Sequence, residues 1–328
     1  MTTESTERLI LDAGEPKAEA IRKVLREQFD VMLANEGGSR IGDDIEHVHD
    51  MRVAVRRMRT AFRLFGDYYR RGAIKRFQKD LRDTGRALGG VRDLDVFNRE
   101  AARYLRQQPK RRRRDLDPLL AHWRGQRETA CLALLAYLDG EPYRAFVQGF
   151  GEFVRSRGAG VKPVSDAEPE RFLVCDVLSS TVWQRYETVR AYGRVFDRAP
   201  METLHAWRID CKYLRYTLEY FQSLLGPDAS WLIGEVIALQ DHLGDMQDAE
   251  VAQGILGDFI AQHGGPQNDQ GDVTLSHVAA YMTYRRDQQA SLLATLPKAW
   301  ARVDSARFRR RLASSLLAPD GPKGNSKR

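Results

Sequence analysis

The chain has 328 residues, with 52 lysines and arginines against 45 aspartates and glutamates, which gives a formal charge of +7. This length suits one large domain or two smaller ones, and a charge this moderate is not that of a histone or a basic tail. Three scattered cysteines without CxxC spacing, no signal peptide and no apolar run of about 20 residues predict a cytoplasmic protein with no membrane partner.

Apolar residues recur with the 3.6-residue period of an α-helix along nearly the whole chain, and no segment alternates convincingly like a strand. We therefore predict an all-α fold. The predicted helices of the first half cover residues 17–35, 44–68, 72–88, 92–108, 115–138 and 141–155. Those of the second half cover residues 170–192, 200–224, 229–243, 246–263, 273–293 and 297–317.

Segments rich in Gly, Pro and Ser divide the chain. Residues 157–169 are predicted to form a linker, and residues 264–271 a second loop. The tail, residues 318–328, is predicted to be disordered. The sequence thus predicts two helical bundles, one over residues 17–157 and the other over residues 170–317.

Two segments of the chain repeat in the same order. The segment VHDMRVAVRRMRTAFRLF from Val48 matches LHAWRIDCKYLRYTLEYF from Leu204 at a shift of 156 residues. Farther on, LGGVRDLDV from Leu88 matches LGDMQDAEV from Leu243 at a shift of 155 residues. Two matched segments in one order predict pseudo-symmetric bundles that arose by internal duplication.

One face of each first repeated helix is basic. At 100° per residue, five residues of the first copy fall within an arc of about 80° and extend over about 21 Å. This first basic row consists of His49, Arg52, Arg56, Arg59 and Arg63. An apolar row about 100° away is expected to be buried, so the basic row borders the core. The aligned second basic row consists of His205, Arg208, Lys212 and Arg215, with Glu219 at the position of Arg63.

The next helix of the first half presents a further basic face, formed by Lys75, Lys79, Arg82 and Arg86. A single basic row is most often only a solvated helix face. The first row, however, has one sign and lacks regular Glu–Lys pairing, so its cations repel one another unless an anion neutralises them. Arginine, lysine and protonated histidine all suit phosphate oxygens, and regular spacing suits a polymer. The histidines fit a capping or packing role equally well.

Two aspartates, Asp93 and Asp248, follow short glycine-containing segments at matched positions in the two halves. We expect them either to lie at helix N-termini, where the helix dipole favours acids, or to orient the arginines of the basic rows. Metal ligation is disfavoured, and we predict neither a bound metal nor a cofactor.

The segments HDMRVAVRRMRTAFRLF and LGGVRDLDV, with LHAWRIDCKYLRYTLEYF and LGDMQDAEV, resemble the two repeats of CHAD domains, the conserved histidine α-helical domain, over residues 17–317. The resemblance implies two bundles about a pseudo-twofold axis with a basic channel between them. It also implies binding of inorganic polyphosphate and, in some bacteria, association with polyphosphate granules. By position it implies a binding role for His49, Arg52, Arg56, Arg57, Arg59, Arg92, His205, Arg208, Lys212 and Arg215, with Gln247 replacing Arg92 in the second half.

Together these observations predict non-catalytic binding of polyphosphate by the basic rows, with no catalytic residue. A nucleic-acid-binding protein is the first alternative: the charge and the run Lys110–Arg114 permit it, whereas the lack of interleaved exposed aromatic residues disfavours it. A metal-dependent phosphohydrolase acting on polyphosphate or triphosphate is the second. The His49–Asp50 pair suggests it, although Ala206 replaces the aspartate in the second half.

Overall fold

The computed structural model describes residues 11–163, 173–263 and 269–317, with side chains from residue 275 onward in the last range. These residues form ten α-helices and no strand beyond two isolated bridges, which confirms the all-α prediction. The helices of the first half are α1 (Lys17–Ile41), α2 (Ile45–Phe65), α3 (Arg71–Gln107), α4 (Asp117–Leu138) and α5 (Glu141–Arg155). Those of the second half are α6 (Val174–Ala191), α7 (Met201–Tyr220), α8 (Ala229–His263), α9 (Asp269–Val303) and α10 (Ala306–Leu317). None of the described helices has both the length and the apolar character needed to cross a bilayer.

Single helices run through three places where we predicted interruptions. Since α3 is continuous through residues 88–92 and α8 through residues 243–246, the prediction of separate helices there is wrong. The helix α9 likewise continues through Pro297 and ends at Val303. A glycine in a helix interior costs only about 1 kcal/mol relative to alanine, so tertiary packing can override it.

Parts of the predicted linker, loop and tail lie outside the described residues. Residues 164–172, which contain the end of the predicted linker, and the tail at 318–328 both lie there, as do residues 264–268 of the second loop. In the described part of the linker, Val161 pairs with Tyr69 in an isolated bridge.

The helix α2 shows how local sequence sets a helix beside the candidate site. Asp44 caps its first turn by accepting a hydrogen bond from the backbone N–H of Glu46 (2.9 Å). The apolar row predicted to be buried is at most 5% exposed at every position, namely Val48, Met51, Val55, Met58, Phe62 and Phe65. The matched row of α7 is at most 3% exposed and consists of Leu204, Trp207, Cys211, Leu214 and Leu218. Because each large apolar side chain contributes about 1.5–3 kcal/mol on burial, both rows fix the orientation of their helices.

Both halves contribute to the same apolar core. The larger buried cluster contains residues from Leu11 to Leu316 and joins helices of both halves. Within this cluster Phe65, at the end of α2, packs edge-on against Phe221, with 5.8 Å between ring centroids. A smaller cluster joins α3 and α4 to α8 and α9. This shared core fixes the position of α2 relative to α7.

Helix order and length support the proposed duplication, since α2 and α7 have 21 and 20 residues and α3 and α8 have 37 and 35. The division into bundles at residues 17–157 and 170–317 stays a prediction. The segment before α1 crosses between the halves, because the backbone N–H of Cys175 donates to the carbonyl of Ala13 (2.9 Å). The backbone N–H of Leu11 similarly donates to Ser223 Oγ (3.2 Å).

Candidate functional site

Most members of the two basic rows line one cavity of about 640 Å³ between α2, α3 and α7, whereas His49, His205 and Arg215 lie outside it. Its seven cations are Arg52, Arg56, Arg59 and Arg63 from α2, Arg82 from α3, and Arg208 and Lys212 from α7. No carboxylate of the described residues lines this basic cavity. A concave surface with a single sign of charge attracts a polyanion and raises its local concentration.

A second cavity, of about 820 Å³, adjoins the first and reaches α1 and α8. Arg52, Arg56 and Arg208 line both cavities, so these three arginines mark where the cavities meet. The second is a mixed-charge cavity, because its lining also includes His49, Arg57, Arg92, Arg99 and Arg215 together with Asp50, Asp93, Asp241, Asp245 and Asp248. The two cavities form one groove whose charge changes along its length.

A glycine lies against the corresponding arginine in each half. A Cβ atom on Gly89 of α3 would lie 3.8 Å from Nε of Arg52, and one on Gly244 of α8 would lie 3.1 Å from Nε of Arg208. We predicted breaks between helices at these glycines, whereas they lie inside α3 and α8 and leave space for the arginine side chains. The matched geometry is a second observation that supports the duplication.

Tyrosines of α7 hold arginines of α2 across the junction of the halves. The guanidinium of Arg63 lies 4.7 Å from the ring centroid of Tyr213, and that of Arg56 lies 5.9 Å from Tyr216. Contacts of this kind contribute about 0.5–2 kcal/mol. Tyr216 is only 1% exposed, so its ring is not available to stack on a nucleobase. Neither tyrosine was among the predicted site residues, although each directly follows a cation of the second basic row.

Several buried guanidinium nitrogens in the groove have no hydrogen-bond partner within the part of the chain that the structure describes. They are Arg56 Nε, Arg57 Nε, Arg92 Nη1 and Arg208 Nε. Buried donors in proteins are normally paired, because an unpaired donor costs about 1–3 kcal/mol. Protein atoms cover these four nitrogens in this conformation, so a ligand would pair with them only after the arginine side chains move.

Lys212 lies among these arginines. Burial, followed by repulsion from Arg208, Arg56, Arg52 and Arg59, lowers its pKa to about 7 from an ordinary 10.5. A phosphate oxygen beside Nζ would favour the ammonium form and raise this pKa again.

The two histidines have different surroundings. His49 is half-buried in the mixed-charge cavity, where burial and then the charge of Arg92 lower its pKa. His205 is exposed, and its Nδ1 pairs with Oε1 of Gln247 at 3.1 Å. Since Gln247 aligns with Arg92, the same position lies beside the histidine in both halves. The binding role of each histidine stays a prediction.

Asp93 and Asp248 lie well inside α3 and α8, so the expectation that they stand at helix N-termini is wrong. Asp93 Oδ1 lies 3.8 Å from Nη2 of Arg52, a position that suits the alternative, orienting role. Burial raises the pKa of Asp248, and the charge of Arg208 opposes this effect. No ion pair links Asp248 to Arg208 among the described residues, so its orienting role stays a prediction.

Glu219 contacts two of the predicted site residues. It accepts hydrogen bonds from Nη2 of Arg57 (2.9 Å) and from Nε of Arg215 (2.6 Å). Arg57 belongs to α2 and Arg215 to α7, so the carboxylate joins the two halves. Both arginines line the mixed-charge cavity rather than the basic one. From the sequence, Glu219 was noted only because it replaces the cation found at the matching position, Arg63.

Three of the predicted lysines and arginines of α3 lie outside both cavities. Lys79 and Arg86 pair with Asp83, at 2.9 and 3.2 Å, and both are largely exposed. Lys75 is exposed as well. Of the four cations predicted on this face, only Arg82 lines the groove.

The nucleic-acid and phosphohydrolase alternatives were based on a basic run and on potential metal ligands. In the basic run Lys110–Arg114, Arg112 pairs with Asp115 (2.9 Å) and Arg114 with Asp117 (2.8 Å). Among the residues that the structure describes, no group of three or more His, Cys, Asp or Glu is placed to hold a metal ion.

The fold and the site together define a class of protein: all-α, with an arginine-lined groove between two helical halves. The sequence matches the family model of the CHAD domain over residues 23–257, which is more than half of the chain. The chain therefore belongs to the CHAD domain family, for which polyphosphate binding is a known property.

Solved structures share this fold. The CHAD domain from the plant Ricinus communis matches with a TM-score of 0.65 at 22% sequence identity, covering 95% of this chain and 96% of that one. PptA from Streptomyces chartreusis matches with a TM-score of 0.66 at 13% identity, covering 87% and 99% of the two chains. At such identities the likeness shows the fold alone. No curated protein matches the sequence of this chain.

Proposed function

We propose that this protein binds inorganic polyphosphate in the groove between α2 and α7, without cleaving it. The observation that carries the proposal is the basic cavity, where seven cations from both halves meet without a carboxylate. Guanidinium and ammonium groups bind phosphate oxygens by charge-assisted hydrogen bonds, which are the stronger kind. Family membership supports the choice of polyphosphate among phosphate polymers.

The shape of the groove favours a slender single chain over a nucleic-acid duplex. The cations converge on a concave surface between three helices, where Arg56 and Arg208 are partly buried between α2 and α7. A duplex carries its phosphates on the outside of a rigid cylinder wider than a helix, so few of them would reach Arg56 or Arg208. A single polyphosphate chain can enter and contact both basic rows.

Association with polyphosphate granules follows from this proposal. A protein that binds the polymer in the cytoplasm is carried to the bodies in which the polymer accumulates, together with other granule proteins. A fluorescent fusion of the wild-type chain should therefore form foci that coincide with polyphosphate. The foci should vanish when the cells lack the polymer.

The direct experiment is a titration of the purified protein with long-chain polyphosphate at two salt concentrations, with duplex DNA as competitor at equal phosphate concentration. Binding through seven cations should lose affinity with a slope of log K against log salt on the order of −5, because bound counterions are released. We expect duplex DNA not to displace the polymer.

Two outcomes would contradict the proposal. Displacement by DNA would make the groove a nucleic-acid site or a general polyanion surface. Release of phosphate in the presence of Mg²⁺ or Mn²⁺, lost in His49→Ala, would make the protein a phosphohydrolase.

A further inference from the structure

Lys212 differs from the arginines around it, because only a lysine can lose its proton near neutral pH. Its side chain lines the basic cavity and makes no hydrogen bond or ion pair with any residue that the structure describes. Six arginines line the same cavity, namely Arg52, Arg56, Arg59, Arg63, Arg82 and Arg208. Because its pKa is lowered to about 7, Lys212 is a neutral amine far more often near neutral pH than an ordinary lysine is.

This arrangement combines a nucleophile with a phosphate-binding site. A neutral amine attacks electrophilic carbon, whereas an ammonium does not. The arginines can hold a phosphate group within the same cavity, beside the apolar side chain of Ile209 and the ring of Tyr213. An acyl phosphate carries both complementary parts, a phosphate and an adjacent activated acyl carbon.

We propose that Lys212 is a modification site, acylated on Nζ by small acyl phosphates that dock on the arginines of the basic cavity. The Nζ lone pair attacks the acyl carbon and forms an amide bond. The bond between the acyl carbon and the bridging oxygen breaks, and inorganic phosphate leaves with that electron pair and takes up the proton from nitrogen. The acyl phosphate supplies the activated acyl group, so the step needs no other reactant.

Acylation would close the groove to its polymer. The amide carries no charge, and the added acyl group takes up space in the cavity that Arg56 and Arg208 also line. Conversely, a bound polyanion covers Nζ and blocks the approach of an acyl phosphate. Polyphosphate binding and acylation therefore exclude each other, a consequence that rests on the proposed function.

The test is incubation of the purified full-length protein with acetyl phosphate at pH 7.5, followed by site-resolved mass spectrometry. Lys79 is an internal control, since its hydrogen bond with Asp83 raises its pKa. Lys212 should react at least about tenfold faster, because its larger neutral fraction outweighs its lower intrinsic nucleophilicity. Long-chain polyphosphate should slow acetylation of Lys212 and leave that of Lys79 unchanged.

A second reagent separates docking from simple reactivity. The acetyl ester of N-hydroxysuccinimide carries no phosphate, so its preference for Lys212 over Lys79 should be several-fold smaller than that of acetyl phosphate. Lys212→Arg should lose only the adduct at this position. Equal preference with both reagents, or reaction of Lys212 no faster than Lys79 with acetyl phosphate, would overturn the proposal.

The two proposals fail separately. A protein that binds polyphosphate while its Lys212 stays unreactive contradicts the acylation alone. A protein acetylated at Lys212 that does not bind polyphosphate contradicts the proposed function alone, because labelling is measured without the polymer.

Discussion

Lys212 places an amine where four neighbouring arginines repel its proton. Arginine keeps its charge at any physiological pH, so the surrounding guanidiniums are fixed and the lysine is the adjustable cation of the basic cavity. The sequence alone could not predict that this lysine has a lowered pKa. The shift depends on burial and on arginines that include three from the other half of the chain.

Polyphosphate binding should return a proton to Lys212. The bound polymer raises the pKa of the amine, so affinity should fall as pH rises from about 7 towards the ordinary lysine value near 10.5. Calorimetric titrations at pH 8 in buffers of different ionisation heat would measure the uptake. Lys212→Arg should remove this contribution and keep tight binding at pH 9. Equal proton uptake by the variant would show that the proton goes elsewhere.

Gly89 and Gly244 give a matched pair of substitutions. A Cβ atom on Gly244 would press on Arg208 Nε at 3.1 Å, whereas one on Gly89 meets Arg52 Nε at an ordinary 3.8 Å. Gly244→Ala should weaken polyphosphate binding by roughly two- to fivefold through a displaced guanidinium. Gly89→Ala should bind as wild type, and it should gain up to about 1 kcal/mol of stability from helix propensity. Equal affinities in both variants would show that the position of Arg208 is unimportant.

At the scale of helices, α2 and α7 supply most of the cations of the basic cavity, whereas α3 supplies only Arg82. The cations of the two basic rows that line this cavity thus form one concave surface. The buried apolar row beside each basic row fixes the orientation of its helix.

Charge reversal should distinguish the rows from other basic surfaces. Arg56→Glu with Arg59→Glu should weaken polyphosphate binding at least about 100-fold, since each reversal removes a charge-assisted hydrogen bond of about 1.5–3 kcal/mol. Arg208→Glu with Lys212→Glu should also weaken it. The control, Lys75→Glu with Lys79→Glu, makes the same charge change outside the groove and should cost only a few-fold. Circular dichroism would verify the fold of each variant, and wild-type affinity in the first would place the site elsewhere.

Much of the fold and part of the site could be predicted at this scale. The helical period and the buried row from Val48 to Phe65 are local properties, and they were confirmed. The positions of Lys75 and Arg86 relative to the groove depend on how α3 packs, which the period of one helix does not reveal. The continuity of α3 through Gly89 was missed for a similar reason, because the propensity cost of glycine is small beside the packing of a helix of 37 residues.

At the scale of the whole molecule, the groove exists because the two halves share a core. Glu219 adds a polar link beside it, with Arg57 on one side and Arg215 on the other. The carboxylate neutralises part of the positive charge that the groove would otherwise present to its ligand.

Glu219→Gln should lower the stability of the fold and raise the affinity for polyphosphate. Loss of the charge weakens two largely buried ion pairs, so the free energy of unfolding should fall by about 1–3 kcal/mol. The freed guanidiniums should strengthen polyphosphate binding and steepen its salt dependence. Glu141→Gln is the matched control, because Glu141 on α5 is 80% exposed and its substitution makes the same charge change. Affinity no greater than that of the control would show that Arg57 and Arg215 do not reach the ligand.

The core shared by both halves has a consequence for how the chain can be divided. A cut between residues 163 and 173 would leave each fragment with apolar residues that the other normally covers, among them Phe65 and Phe221. The fragments should therefore recognise one another in solution and rebuild the groove as a two-piece assembly. Since the ligand would contact both pieces, reassembly should tighten in the presence of the polymer. The fold thus provides the basis for a split reporter of polyphosphate.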